Sequence, residues 1–122
     1  MTRIIAGEAR GRTIKVPAEG TRPTADRARE GLFSSLNARW GFAGSSVLDL
    51  FAGSGALGLE AASRGADEAV LVESSADAVE VIRHNMGVVK HPGVRVHEMK
   101  VDTYLASAPR KHFDLVLADP PY

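Results

Sequence analysis

The sequence predicts an α/β fold built on a parallel sheet, and three observations lead there. From Val47 onward, short apolar runs alternate with amphipathic segments long enough for helices. A glycine-rich turn follows the first apolar run, and Asp119-Pro120-Pro121-Tyr122 follows the last. The 122 residues suffice for one domain, and 44% hydrophobic with 25% charged residues is ordinary globular composition.

Ahead of the sheet, residues 3–16 alternate loosely and are interrupted by Gly7 and Gly11. This predicts a β-hairpin pairing Arg3-Ile4-Ile5 with Arg12-Thr13-Ile14-Lys15-Val16 around a Glu8-Ala9-Arg10-Gly11 turn. The stretch from Pro17 to Thr24 holds two Pro, one Gly and two Thr and reads as a loop. Thr24 is placed to N-cap a helix reaching about Trp40, with Ala25, Ala28, Leu32, Phe33, Leu36 and Trp40 on one stripe. The alternating part then reads as a strand at Val47–Phe51 and a helix at Ala56–Arg64 that stops at Gly65. A strand at Ala69–Val72 leads to a helix from about Ser75 whose inner face is Val79, Ile82 and Met86. A strand at Val94–His97, a short helix around Thr103–Ala106 and a strand at Phe113–Ala118 complete the pattern. Four strands joined by helices imply a parallel sheet with right-handed crossovers.

Composition removes several function classes. Without Cys there is no disulfide framework, thiolate nucleophile or Cys-ligated zinc. The four histidines, His84, His91, His97 and His112, lack ligand spacing, so no metal is expected. No apolar run approaches the ~20 residues of a membrane span, and Met1–Pro17 lacks the apolar core of a secretory signal. A monomeric cytoplasmic protein is expected. The zero net charge conceals an asymmetry: residues 1–40 carry eight basic and four acidic side chains, the remainder seven and eleven. A basic front on an acidic body suits contact with an anion such as nucleic acid, or merely a solvated basic face.

The chemistry-bearing residues cluster beyond the strand ends, where ligands of open α/β sheets bind. Asp49 to Gly58 contains a G-x-G-x-x-G at Gly53, Gly55 and Gly58, and Glu73 follows Gly53 by 20 residues. An acid at that offset accepts the hydroxyl protons of an adenosine ribose. Asp49, four residues before Gly53, would repel the pyrophosphate of a dinucleotide and attract a cation. Together the two acids favour S-adenosylmethionine, with its ammonium, over NAD; the plainer role for Asp49 is a cap or turn. At Asp119-Pro120-Pro121-Tyr122, the Asp119 carboxylate and Pro120 carbonyl can accept both protons of an exocyclic base amine, and Tyr122 offers a stacking ring.

These residues resemble the class I amino-methyltransferases. Arg10-Gly11-Arg12, Thr21-Arg22-Pro23-Thr24, Asp26-Arg27, Arg29-Glu30 and Leu32-Phe33 resemble, more narrowly, the RsmD family, which methylates a guanine N2 of bacterial 16S rRNA. The resemblance implies a Rossmann-like methyltransferase domain over 21–122, with 1–20 as a basic RNA-binding arm and linker. It implies that Thr21, Arg22 and Thr24 help hold the methionine carboxylate, that Asp49 and the backbone at Gly53 and Gly55 hold the methionine portion, and that Phe51 also contacts the cofactor. Glu73 would hold the ribose and Ser74 would border the adenine, while Arg3, Arg10, Arg12 and Lys15 would grip RNA phosphates. Where the family usually has a small polar or acidic residue before a small apolar one, this chain reads Lys100-Val101, so the adenine contact there is expected from backbone groups.

Asp119, Pro120 and Tyr122 are the expected catalytic residues. The implied partner is 16S rRNA or an assembling small ribosomal subunit. Two other readings stand beside this one: an adenine-N6 DNA methyltransferase, which shares the Asp-Pro-Pro-Tyr motif, and an inactive cofactor- or RNA-binding fragment. The resemblance implies seven strands and the sequence shows four, so a missing C-terminal part is expected.

Overall fold

The structure, a computed structural model, describes residues 2–16, 26–107 and 113–120. Its elements run β1 (Thr2–Arg3), β2 (Thr13–Ile14), α1 (Asp26–Arg39), β3 (Ser46–Leu50), α2 (Ala56–Ser63), β4 (Glu68–Glu73), α3 (Ala76–Val89), β5 (Val94–Glu98), α4 (Val101–Ser107) and β6 (Leu115–Ala118). The four strands β3 to β6 form one parallel sheet in the order β5-β4-β3-β6. Chain direction across the sheet therefore reverses between β3 and β6, which is where such sheets open a ligand crevice. The expected alternation of strand and helix is present, with no boundary moved by more than two residues.

Side-chain alternation assigns the layers. Val47, Leu71, Val94 and Leu117 face α1, α2 and α3, packing with Phe33, Phe42, Leu57, Leu59 and Ile82. Leu48, Leu50, Val70 and Val72 face the other way, onto Tyr104 of α4. On that second face the edge strand β6 leaves Val116 exposed.

The hairpin is present but shorter than expected: only Thr2–Arg3 and Thr13–Ile14 pair as antiparallel strands. Ile4 and Arg12 extend the pairing through one further bond, and Gly11 N–H donates to the Ile4 carbonyl. The reason is that Ile5, Ala6, Glu8 and Ala9 spend their amides on α2 instead of on a partner strand. Ile5 and Ala6 N–H donate to the two Glu60 carboxylate oxygens at 2.8 and 3.1 Å, and Ala9 N–H to Ser63 Oγ at 2.9 Å. Glu8 N–H donates to the Ser63 carbonyl. Gly7 permits this approach: its φ is +87°, and a Cβ there would lie 1.8 Å from the Ser63 carbonyl oxygen. Ile4, Ala9 and Ile14 thereby join the main core.

The expected apolar stripe on α1 is only partly its buried face: Phe33 is buried and Leu36 half-buried, as expected. Ala28 is exposed, Leu32 and Trp40 are 41% and 46% exposed, and Ala25 lies outside the described residues. The inward residues are Phe33 and Leu36 of that stripe together with Arg29, one helical turn before Phe33. Arg29 turns inward because a counter-charge awaits it: its Nε lies 3.7 Å from Glu60 Oε1, and both side chains are fully buried. Its Nη2 also donates to Thr2 Oγ1 and the Arg3 carbonyl. Glu60 further accepts Arg64 Nε at 2.9 Å. Apolar periodicity alone skips a charged residue and therefore misses Arg29 while admitting Ala28, Leu32 and Trp40.

Candidate active site

Strand register brings three of the expected site residues to one end of the sheet. Leu50 pairs with Val72 on one side and Ala118 on the other. The next residue on each strand is Phe51, Glu73 or Asp119, so these three stand at one level along the open end of the sheet. Strand spacing puts Glu73 and Asp119 roughly 10 Å apart across the end of β3.

The loop leaving β3 is held in an unusual backbone shape. Phe51, Gly53 and Gly55 all have left-handed φ values of 58°, 58° and 83°. Glycine adopts such angles freely, whereas Phe51 does so at a cost of order 1–3 kcal/mol, typical of backbone strained at a binding site. The loop is fastened to β4: Ala52 N–H donates to the Val72 carbonyl, and Gly53 N–H to Glu73 Oε1 at 2.8 Å. Glu73 Oε2 accepts Ser75 N–H at 2.9 Å, and Ser75 caps α3 by accepting Ala78 N–H.

Asp49 faces inward beneath this loop, 1% exposed. Its Oδ2 accepts Gly58 N–H at 2.9 Å, satisfying one of the free amides in the first turn of α2. The capping role considered from sequence is thus present. Its Oδ1 is buried and has no hydrogen-bond partner among the described residues. Burial pushes the Asp49 carboxyl up to about 7, the Gly58 amide opposes this, and the negative charges of Asp119 and Glu73 add to the rise. Three acids therefore share one field at the end of the sheet.

A cleft of about 330 Å³ opens beside them, lined by Phe51, Val72, Glu73, Ser74, Lys100, Val101 and Asp102. Five of these seven, Phe51, Glu73, Ser74, Lys100 and Val101, are expected cofactor residues. Val72 supplies an apolar lining and Asp102 an extra acid on the rim, neither of them among the expected site residues. Asp119 is exposed and Pro120 half-buried at the far side of the loop. Thr21, Arg22, Thr24 and Tyr122 lie outside the described residues.

The basic residues of the arm separate into different settings. Arg3 and Arg10 line one concavity of about 300 Å³ with Ile4, Ile5, Gly11 and Glu30. Arg12 is engaged elsewhere: its Nη1 donates to the Val88 and Val89 carbonyls at 3.1 Å each, capping the end of α3. Lys15 borders a shallow groove with Asp77, Glu80, Val81, Arg83 and His84. Among the described residues no cluster of three His, Cys, Asp or Glu suited to a metal occurs, and no helix is long and apolar enough to cross a membrane.

The chain is similar to known proteins along its whole length. It is 41% identical over 121 residues to the ribosomal RNA small subunit methyltransferase D of Escherichia coli K12, covering 98% of this chain and 60% of that protein. A solved structure of a hypothetical protein from Thermus thermophilus superposes with a TM-score of 0.88 at 42% identity, covering 100% of this chain and 70% of that one. The C-terminal domain of precorrin-6Y C5,15-methyltransferase from Rhodobacter capsulatus shares the fold at a TM-score of 0.62 and 26% identity, over 76% of this chain and 49% of that one. The fold is the Rossmann-like sheet of class I methyltransferases, preceded by a hairpin. The chain spans 60% to 66% of the length of the curated relatives it matches. The family model described as conserved hypothetical protein 95 matches residues 2–122, and the chain belongs to that family, the RsmD family.

Proposed function

We propose that this chain carries the S-adenosylmethionine site and the amine-accepting motif of an enzyme that methylates the exocyclic N2 of a guanine in bacterial 16S rRNA. The observation that carries the reading is the register that sets Glu73 and Asp119 on either side of Phe51 at the sheet's switch point. The residues fit the cofactor. Each Glu73 oxygen already accepts one backbone amide and retains a lone pair for a ribose hydroxyl. The unpartnered Asp49 Oδ1 and the surrounding acids suit an ammonium group. Phe51 and Val72 give the cleft apolar surface for an adenine ring, and Ser74 and the backbone at Lys100-Val101 give it polar edges.

When bound, S-adenosylmethionine supplies a methyl group already activated on a sulfonium, so the chain's task is positioning and electrostatics. The guanine amine is a weak nucleophile because its lone pair is delocalised into the ring. Hydrogen bonds from its two protons to the Asp119 carboxylate and the Pro120 carbonyl turn that lone pair out of conjugation and toward the methyl. Methyl transfer would leave the nitrogen cationic, a charge that the Asp119 carboxylate is placed to offset until one proton passes to solvent. The base has to be unpaired or flipped to reach this position, and Tyr122 is the stacking surface for it. Arg3 and Arg10, sharing one concavity, are the phosphate-contacting pair on the arm.

Asp119→Ala tests the assignment. Methyl transfer to 16S rRNA is expected to fall below detection while S-adenosylmethionine still binds; full activity in that variant overturns the role of Asp119.

A further inference from the structure

Ser54 sits between the two left-handed glycines of the β3–α2 loop, so no regular element holds its carbonyl. The group that does hold it comes from α3. Asn85 is fully buried, and its Nδ2 donates to the Ser54 carbonyl at 2.9 Å. The same nitrogen donates to the Lys15 carbonyl at 2.9 Å, while Oδ1 accepts Lys15 N–H at 2.8 Å. Both amide protons and the carbonyl oxygen are thus engaged, two contacts on the arm and one on the loop.

Asn is a poor helix former, and burying its amide is costly unless every polar atom is paired. Pairing here requires the arm and the loop at once. The arm is in turn fixed to α2 through Glu60 and Ser63, so Lys15 is presented from a rigid support. On the loop side, Ser54 directly follows Gly53, whose N–H reaches Glu73. A contiguous path therefore runs from Lys15 through Asn85 and Ser54 to the acid assigned to the ribose.

We propose that Asn85 is a positioning residue of the cofactor site, joining the docked arm to the glycine loop so that the arm's placement sets the loop's shape. The arm is on this account part of the cofactor site as well as a basic surface. The inference rests on the S-adenosylmethionine reading above and adds a residue to it that lines no part of the cleft.

The test combines titration with S-adenosylhomocysteine, a non-reactive probe, and amide hydrogen exchange, on the full 122-residue chain and on Asn85→Leu. In the unsubstituted chain, saturating probe is expected to slow exchange at the Lys15 amide as well as within 51–56. In Asn85→Leu, probe affinity is expected to fall about tenfold or more. Exchange should quicken at Lys15 and in the loop, while β4 and β5 stay protected. Unchanged affinity in a folded Asn85→Leu, or loss of protection spread evenly over all strands, overturns the proposal. Should that variant not fold, the Lys15 response of the unsubstituted chain decides: binding without it contradicts the coupling. No binding to the unsubstituted chain overturns the cofactor reading itself, and this inference with it.

Discussion

Glu73 Oε1 accepts the Gly53 N–H at 2.8 Å, while Oε2 accepts the Ser75 N–H at 2.9 Å. One side chain at the end of β4 thus fixes both the glycine loop before it in sequence and the start of α3 after it. Glu73→Ala removes both acceptors and the proposed ribose contact together. S-adenosylhomocysteine affinity, measured by calorimetry, is expected to fall at least about tenfold, and stability by ~1–3 kcal/mol. Wild-type affinity in a folded Glu73→Ala would remove this residue from the site.

Asp49 makes cofactor affinity and stability respond to pH in opposite directions. Its folded-state pKa, about 7, is raised above the ordinary 3.8 chiefly by burial. Between those values the folded chain holds a proton that the unfolded chain has lost. Its contribution to stability is therefore full below 3.8 and is lost as pH rises through about 7. A cationic ligand prefers the ionised carboxylate, so affinity is expected to rise from about pH 6 to about 7.5. Asp49→Asn should flatten both profiles, measured by urea unfolding and by probe titration across that range.

Glu60 holds the arm to α2 and neutralises buried Arg29 and part-buried Arg64. Glu60→Leu keeps the volume roughly but leaves these cations and the Ile5 and Ala6 amides without their acceptor. Removing one partner of a buried ion pair costs ~3–5 kcal/mol, more than an apolar side chain of that size recovers. Chemical denaturation is expected to show a loss of that order. A loss under about 1 kcal/mol would mean that the network contributes little to docking the arm.

The arm's basic residues should separate by experiment as they do in space. Arg3→Ala with Arg10→Ala is expected to weaken rRNA binding and reduce the slope of log affinity against log salt by nearly one per lost phosphate contact. Arg12→Ala should change that slope less and lower stability instead, since its guanidinium caps α3. Filter binding at several salt concentrations, beside thermal unfolding, distinguishes the two effects.

The parallel sheet and its helices were legible in the sequence, and Phe51, Glu73, Ser74, Lys100 and Val101, which the resemblance points to, line one cleft. Strand and turn signals are local, and ligand position follows from sheet topology. What local pattern could not show is how distant polar groups pair. Arg29 falls outside the apolar stripe of α1, and its inward place is set by Glu60 on another helix. Asn85 carries no signal in the sequence, and its role appears only where Lys15 and Ser54 converge on it. Likewise, the hairpin is legible in the sequence, but the shaping of its turn by the Ser63 carbonyl against Gly7 is not. In each case a partner far away in sequence determines the role, and no periodicity carries that information.

The central claim is tested most directly by nucleoside analysis of 16S rRNA after incubation with the chain and methyl-labelled S-adenosylmethionine, using rRNA from cells that lack the corresponding methyltransferase. The expected product is N2-methylguanosine, at one site, and absent with Asp119→Ala. Label in N6-methyladenosine, or methylation of duplex DNA in preference to rRNA, would contradict it, as would a chain that binds both cofactor and rRNA and transfers no label.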